Sequence, residues 1–496
     1  MVQALEPLIY EISSAGRVGV NLPVCDVPES PLPTDLLRDS LALPEVSEMQ
    51  AVRHFVRLSQ LNHAIDTGFY PLGSCTMKYN PKINEDVARL AGFAHLHPHT
   101  DPAGAQGALA MMHQLQEWLA DVSGFAGVSL VPAAGAQGEL AGILMIRNYH
   151  LDRGDTQRTK ILVPNSAHGT NPATVTMAGL DVIELPSDAE GNVDLNALKE
   201  ACSGDKAQFI AGMMITVPST LGLFEAHILD VVKTVHDAGG LMYMDGANMN
   251  ALMGIVKPGQ LGFDVMHYNL HKTFSTPHGG GGPGCGAVGV AERLMDFRPG
   301  PVVEITEKAD GDNAPLYGLV TPSKTIGQLK AFFGNFGMHI RAYAYIRAYG
   351  GDGLYDVSRH AVLNANYVRA KLMDTYTIPY PRYCGHEFVL EGHWEDAPTI
   401  HALDISKRLM DYGIHPPTNY FPLIVPEALL IEPTETETKQ TLDDFIEIMK
   451  KIAKEAKTTP ELLHDAPHVT PVSRVDEVRA AKELVLCCAP LLKTVE

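Results

Sequence analysis

Asn269-Leu-His-Lys-Thr-Phe-Ser-Thr276, continuing into Pro277-His-Gly-Gly-Gly-Gly-Pro-Gly-Cys-Gly286, is the stretch on which the reading of this chain turns. One lysine, Lys272, stands in a polar turn, and six glycines follow it within residues 279 to 286. An amine becomes nucleophilic when burial or a nearby cation lowers its pKa, and glycines let backbone approach a planar ligand or a phosphate closely. Lys272 is therefore a candidate Schiff-base lysine. A lysine beside a flexible turn is also an ordinary surface feature, so the surrounding chain must decide.

Working outward, three apolar runs end in polar residues. Lys160–Val163 leads into PNSAHGTNPA (164–173), Phe209–Val217 into PSTLGLFE (218–225), and Gly240–Met244 into DGANMN (245–250). Such runs alternate with helical segments from about residue 100 to 335, which is the rhythm of parallel βαβ units. Ligands of open parallel sheets lie beyond the carboxyl ends of the strands, so the residues after these runs are the site candidates. Asp245 closes one run and precedes the small residues Gly246 and Ala247. An aspartate there can keep a pyridine nitrogen protonated. The 27 residues from Asp245 to Lys272 suffice for a helical crossover and a further strand, Asp264–Leu270, bringing both side chains to one sheet edge. An Asp-Gly pair after a strand is by itself a turn; its partnership with Lys272 favours a ligand.

Pro132-Ala-Ala-Gly-Ala-Gln-Gly-Glu139 opens a helical segment running to about His150. Free N–H groups at a helix N-terminus bind phosphate, and small residues expose them, so Ala134, Gly135, Ala136 and Gln137 are the phosphate candidates. Without the other motifs the same residues read as a glycine-containing helix start, and they match neither a dinucleotide nor a Walker fingerprint. His168, within Ser166-Ala-His-Gly-Thr-Asn-Pro172, follows a site-forming run and could stack on a flat cofactor face.

Composition narrows the class. The chain has 496 residues, 38 Lys and Arg against 58 Asp and Glu, a net charge of −20, and 45% hydrophobic residues. That is the profile of a globular chain with a sizeable core. The acidic balance and the lack of a Lys/Arg-rich run argue against nucleic acid or an anionic membrane as partner, leaving small molecules and proteins. Glu6 and Glu11 stand where an export signal would need basic and then apolar residues. The longest apolar run, Phe209–Val217, is far short of the roughly 18 residues of a membrane span. Seven scattered cysteines without a CxxC spacing fit a reducing compartment and no zinc site. A cytoplasmic location is expected.

Residues 1–90, proline-rich between Leu22 and Pro44, read as an N-terminal arm. Residues 91–335 form the large domain. Residues 336–460 read as a smaller α+β domain, with helices over Met338–Tyr349, Val357–Met373 and Thr399–Tyr412 and a strand over His386–Leu390; 461–496 are a C-terminal helical tail.

Together these motifs resemble the pyridoxal-phosphate subunit of glycine decarboxylase, the P-protein of the glycine cleavage system, in its subunit 2 form, which corresponds to the C-terminal half. The resemblance spans nearly the whole chain. Besides the motifs above it includes LIYEISSAGRVGVNLP (8–23), GFYPLGSCTMKYNPK (68–82), FFGNFGMHIRAYAYI (332–346), LNANYV (363–368) and DYGIHPPTNYFPLIVPEALLIEPTETE (411–437). It implies an α/β architecture, the PLP-dependent transferase fold type I (aspartate aminotransferase-like), whose large domain has a mostly parallel sheet and whose C-terminal domain is a smaller α+β unit. By the same resemblance Lys272 carries pyridoxal 5'-phosphate covalently, Asp245 pairs with its pyridine nitrogen, His168 stacks on the ring, residues 134 to 137 hold its phosphate, and no metal is involved.

The activity implied is decarboxylation of glycine with transfer of the remaining aminomethyl group to the lipoyl arm of a carrier, the H protein. Single-chain members are about twice as long, so the resemblance implies a separate subunit 1, an α2β2 assembly, and little activity from this chain alone. The glycines of 279 to 286 are expected to border a channel for the lipoyl arm. Cys75, in Gly73-Ser-Cys-Thr-Met-Lys78, invites a redox role, but a small packed residue is the favoured reading because nothing in the sequence lowers its thiol pKa. Arg341 and Arg382 lie in regions suited to binding the glycine carboxylate, without an assignment. Two other readings stay open. One is a different fold-type I enzyme, such as another decarboxylase or a desulfurase; the other is a non-catalytic scaffolding subunit, against which Lys272 with Asp245 weighs.

Overall fold

Ile210-Ala-Gly-Met-Met-Ile-Thr216 shows no alternation of apolar and polar residues, and all seven are buried. A strand covered on both faces has no reason to alternate. In the computed structural model, which describes residues 5–39, 41, 43–279, 284–311 and 313–485, this run is an interior strand of a seven-stranded sheet. Its strands are β1 (Gly127–Ser129), β2 (Lys160–Pro164), β3 (Asp181–Leu185), β4 (Ile210–Thr216), β5 (Leu241–Asp245), β6 (Val265–Asn269) and β7 (Gly286–Val290), in the order β1-β7-β6-β5-β4-β2-β3. Neighbours from β3 through β6 pair in parallel, whereas β7 runs antiparallel to both β6 and β1. The three expected runs thus become β2, β4 and β5, each within a residue or so of its expected bounds.

Helix Gly135–Asp152 packs on the sheet chiefly at β6 and β7 and also reaches β5. Its glycines explain how closely. A methyl group at Gly135 would overlap the Asn269 amide, one at Gly138 would come 2.7 Å from the Cβ of His267, and one at Gly142 would overlap the Tyr243 ring. Positions three and seven residues apart share a helix face. The small residues of the PAAGAQGELAG motif therefore bring the first turn of this helix down onto the carboxyl end of β6.

Chain contacts divide the protein into Met1–Gly68 with Asp465–Glu496, and Phe69–His464. In the first unit, helix Glu48–Gln60 starts with a capping box between Ser47 and Gln50, and His54 Nδ1 lies 3.2 Å from Glu6. Among the described residues, its one regular element between Leu22 and Pro44 is the short turn Thr34–Leu36, and the one helix beyond His464 is Glu477–Lys482. The contact division falls at Gly68, and beyond it Gly73 bonds Leu430 and the turn that follows is held by Glu387 and Glu432.

Also in the second unit, β10 (Phe388–Glu391), β11 (Thr418–Asn419) and β12 (Ala428–Ile431) form a three-stranded sheet, and β8 (Val302–Glu307) pairs with β9 (Leu316–Val320). Helices Ala402–Asp411 and Lys439–Thr458 and the end of helix Phe336–Leu372 cover the three-stranded sheet with Val368, Ile405, Phe445 and Met449. The two helices expected over Met338–Tyr349 and Val357–Met373 are the arms of Phe336–Leu372, broken at Gly350, whose φ of 64° is left-handed. No helix among the described residues is long and apolar enough to cross a membrane.

Candidate active site

Lys272 sits three residues beyond β6, its N–H bonded to the Asn269 carbonyl at 3.0 Å. Asp245 is the last residue of β5, the strand beside β6, so a parallel register carries both to the same edge. They line one cavity of about 220 Å³, together with Ala134, Gly135, Ala136, His168, Thr216, Thr220 and Asn248. The cavity lies beyond the carboxyl ends of β2, β4, β5 and β6, where an open parallel sheet places its ligand.

Asp245 is buried. Burial alone would raise its carboxyl, but His267, the Ala247 N–H, Asn171 and Lys272 together hold it below the ordinary value. Its Oδ1 accepts from Ala247 N–H at 2.9 Å and its Oδ2 from the Asn171 amide at 3.1 Å. His267 Nε2 lies 3.4 Å from Oδ1. Burial pushes the Tyr243 phenol well up, so its hydroxyl keeps its proton, and it shares a 2.5 Å hydrogen bond with His267 Nδ1. His267 Nε2 stands between Asp245 and the Asn269 amide nitrogen, 3.2 Å from the latter.

Behind Asp245 lies Glu139, which accepts from Thr170 at 2.9 Å, Asn171 at 3.1 Å and Thr174 at 3.3 Å. Burial, aided by the charge of Asp245, pushes its carboxyl up to about 7. Two neighbouring carboxyls, both lining the cavity, are thus pushed in opposite directions, Asp245 down and Glu139 up.

Helix Gly135–Asp152 points its first turn at the same space. The first bond of helical type here is Gly138 N–H to the Ala134 carbonyl, so the N–H groups of Gly135, Ala136 and Gln137 have no partner within the helix. The Gln137 side chain does not line the cavity: it accepts from Ala133 N–H at 2.7 Å and donates to the Leu329 carbonyl at 3.1 Å. His168 lines the cavity with an exposed ring. Its Nδ1 accepts from Thr170 N–H at 3.1 Å, and burial of its inner side holds it below the usual imidazole value. The buried Oγ1 of Thr216 and Oδ1 of Asn171 have no hydrogen-bond partner.

His271 also lines the cavity, and it and His278 are both pushed down to about 4, chiefly by burial. Neither arginine considered for substrate carboxylate lines this space. Arg341 pairs with Glu85 at 2.7 Å, and Arg382 donates to Glu190, Asn192 and Phe224. Cys75 carries a thiol pushed up to about 11, above all by burial, which fits a packed residue and not a redox group. The glycines expected to border a channel fall partly at 280 to 282, outside the described residues.

Sequence reasoning missed Glu139, Asn171, Tyr243, His267 and Thr216. His267 had a usable signal, since residues two apart on a strand face the same way and Asn269 follows it. Glu139 and Asn171 stood inside quoted motifs, but their meeting beside Asp245 depends on how helices and sheet pack.

Residues 357–468 match a family described as "Glycine dehydrogenase, C-terminal domain". The chain is 55% identical over 484 residues to "Probable glycine dehydrogenase (decarboxylating) subunit 2" of Alkaliphilus oremlandii, covering 97% of both chains, and 53% identical to the protein of that description from Halalkalibacterium halodurans, covering 98% and 99%. It belongs to the glycine dehydrogenase (decarboxylating) subunit 2 family. For a member of this family the name itself implies a companion subunit 1. Among solved structures, the chain resembles an inhibitor-bound glycine decarboxylase (P-protein) of the glycine cleavage system, with a TM-score of 0.71 at 20% identity, covering 85% of this chain and 93% of that one. It resembles a cysteine desulfurase from Thermococcus onnurineus with a TM-score of 0.59 at 18% identity, covering 78% and 95%. At these identities the likeness is one of fold, and the glycine dehydrogenase subunit 2 family shares it with other fold-type I enzymes.

Proposed function

We propose that this chain is the catalytic subunit 2 of a glycine decarboxylase, acting with pyridoxal 5'-phosphate and passing the aminomethyl group of glycine to the lipoyl arm of a carrier protein. The observation that carries it is the meeting, in one cavity, of a lysine, an ionised buried aspartate and the free N–H groups of a long helix. These residues fit the cofactor. A phosphate answers the N–H groups of Gly135, Ala136 and Gln137, where any larger side chain at 135 would overlap Asn269, and the unpartnered hydroxyl of Thr216 offers a further polar group in the same cavity beside Asp245. The carboxylate of Asp245 answers a protonated pyridine nitrogen. When bound, pyridoxal phosphate supplies an electron sink for the bond broken at the amino-acid carbon.

The chain's own residues do the rest. Lys272 would provide the amine that holds the cofactor. Asp245 keeps a negative charge for the pyridine nitrogen, fixed by Asn171 and Ala247, while His267, bonded to Tyr243, stands beside it. His168 closes one face of the space. The wider division into a large cofactor-binding domain, 91–335, and a smaller domain, 336–460, belongs to the same proposal, as does an α2β2 assembly with subunit 1.

The test uses the chain co-expressed with its subunit 1 and supplied with a lipoylated carrier. Label in the carboxyl carbon of glycine should appear as CO2 only when the carrier is present, and borohydride should fix the cofactor to the peptide containing Lys272. Release of label from a different amino acid, with none from glycine, would favour another fold-type I activity.

A further inference from the structure

Ser74 and Thr76 hold left-handed backbone conformations, with φ of 61° and 48°, which residues other than glycine rarely adopt. Each is held by a buried glutamate. Ser74 N–H donates to Glu387 Oε2 at 2.6 Å, and Thr76 N–H to Glu432 Oε2 at 2.8 Å. Glu387 precedes β10 and Glu432 follows β12, and the pairing of Phe388 with Ile431 in those antiparallel strands makes the two glutamates cross-strand neighbours. Both are fully buried. Oxygens of the two carboxyls and a ring nitrogen of His386 all lie within 4.8 Å of one another.

Lys272 pulls both carboxyls down, but burial outweighs it. Lys78 is committed to Glu435 at 2.8 Å, Asn250 and Tyr345, and Lys272 lies on the cavity side. Cys75 keeps its proton, and burial holds His386 neutral, pushed down to about 3, with both ring nitrogens unpartnered. Glu432 Oε1 also lacks a hydrogen-bond partner, its neighbour being His386 Nε2 at 3.6 Å. Two carboxylates this close in a dry site do not both ionise, so the pair retains a proton. Accordingly burial pushes Glu387 well up and Glu432 up to about 7. Glu387 Oε1 accepts from the Ser74 hydroxyl at 3.3 Å and from the Asn248 amide at 3.2 Å, and Ser74 and Asn248 line the cavity with Lys272 and Asp245.

We propose that Ser74 is a catalytic residue that passes a proton from the Glu387 and Glu432 pair to the reacting groups in the cavity, the two carboxyls acting through it as positioning residues. The inference rests on the glycine reading above. In that reaction the C–COO bond of glycine breaks, a C–S bond forms, the S–S bond of the lipoyl disulfide breaks, and the departing sulfur is left as a thiolate. Zwitterionic glycine, the disulfide and one proton give CO2, an aminomethyl thioether bearing an ammonium group, and a thiol. One proton is consumed per turnover. The Ser74 hydroxyl, with a protonated carboxyl behind it, delivers that proton to the departing sulfur, and the pair recovers it from solvent between turnovers.

Ser74→Gly is the deciding variant, because glycine accepts the left-handed backbone and only the hydroxyl is lost. In the holoenzyme with subunit 1 and lipoylated carrier, kcat is expected to fall about 100-fold, as for loss of a general acid, with the KM for glycine and the absorbance of bound cofactor unchanged. Wild-type kcat should decline as pH rises past about 7, where Glu432 loses its proton, and Ser74→Gly should lose that decline. Glu387→Gln should behave in the same way; if it does not fold, Ser74→Gly decides alone. Wild-type kcat and pH profile in Ser74→Gly, or a change confined to KM, would overturn the proposal. So would one equivalent of divalent metal bound to the wild type and absent from Glu432→Gln, since a cation would then occupy the place of the proton. A wild-type holoenzyme that releases no CO2 from glycine overturns the function itself, and this proton path with it.

Discussion

Asp245 stays ionised in a buried setting because two hydrogen bonds, a histidine and a lysine act on it at once, and each comes from a different part of the chain. Replacing it by asparagine keeps the shape and removes the charge. Asp245→Asn should lower kcat by roughly 100-fold or more while the protein still folds, measured as CO2 release by the assembled enzyme. Glu139 and Glu432 make the opposite prediction. Both hold their protons up to about 7, whereas an unfolded glutamate ionises near its ordinary value of about 4.3. Between those points the folded chain binds more protons than the unfolded one, so stability falls as pH rises from about 4.5 to 7 and levels off above. Denaturant midpoints across that range should show the decline, and Glu432→Gln should flatten it; a wild-type midpoint that rises instead would contradict the raised values. At this scale Lys272, Asp245, His168 and residues 134 to 136 were legible as one site. Gln137 was legible only as backbone, since its side chain is spent on Ala133 and Leu329.

Helix Gly135–Asp152 and β6 meet through missing side chains, and this decides where the proposed phosphate-binding turn lies. Gly142→Ala forces a methyl group into the Tyr243 ring and should cost about 1–3 kcal/mol, read as a shift in unfolding free energy. Gly107, in helix Gln106–Ser123, has open space around it, and Gly107→Ala should stabilise by up to about 1 kcal/mol through helix propensity alone. Observing the same sign for both would show that packing at Gly142 is looser than its geometry requires. Strand positions were legible from apolar runs because a two-sided burial demands them. The break at Gly350 was not, since a glycine within a helical pattern signals neither a kink nor its absence. The left-handed residues 74 and 76 were equally hidden: nothing local favours that conformation in serine or threonine, and it is held there by glutamates more than 300 positions away.

At the scale of the whole molecule, the family implies a second subunit, and the chain expressed alone should release little CO2 from glycine, with co-expression of subunit 1 restoring at least a tenfold higher rate, about the smallest gain that separates assembly from scatter. Full activity without the partner would make this chain self-sufficient. By itself the sequence determined the run of βαβ units, the order of its site motifs and the identity of the lysine, aspartate and histidine that meet in the cavity, because periodicity and turn residues are local properties of a chain. Only the tertiary structure decided that Glu139 lies behind Asp245, that Tyr243 and His267 orient it, and that Ser74 stands before a pair of buried carboxyls. Those relations set protonation states, and a protonation state depends on burial and on charges brought close by folding, which no separation along the chain specifies.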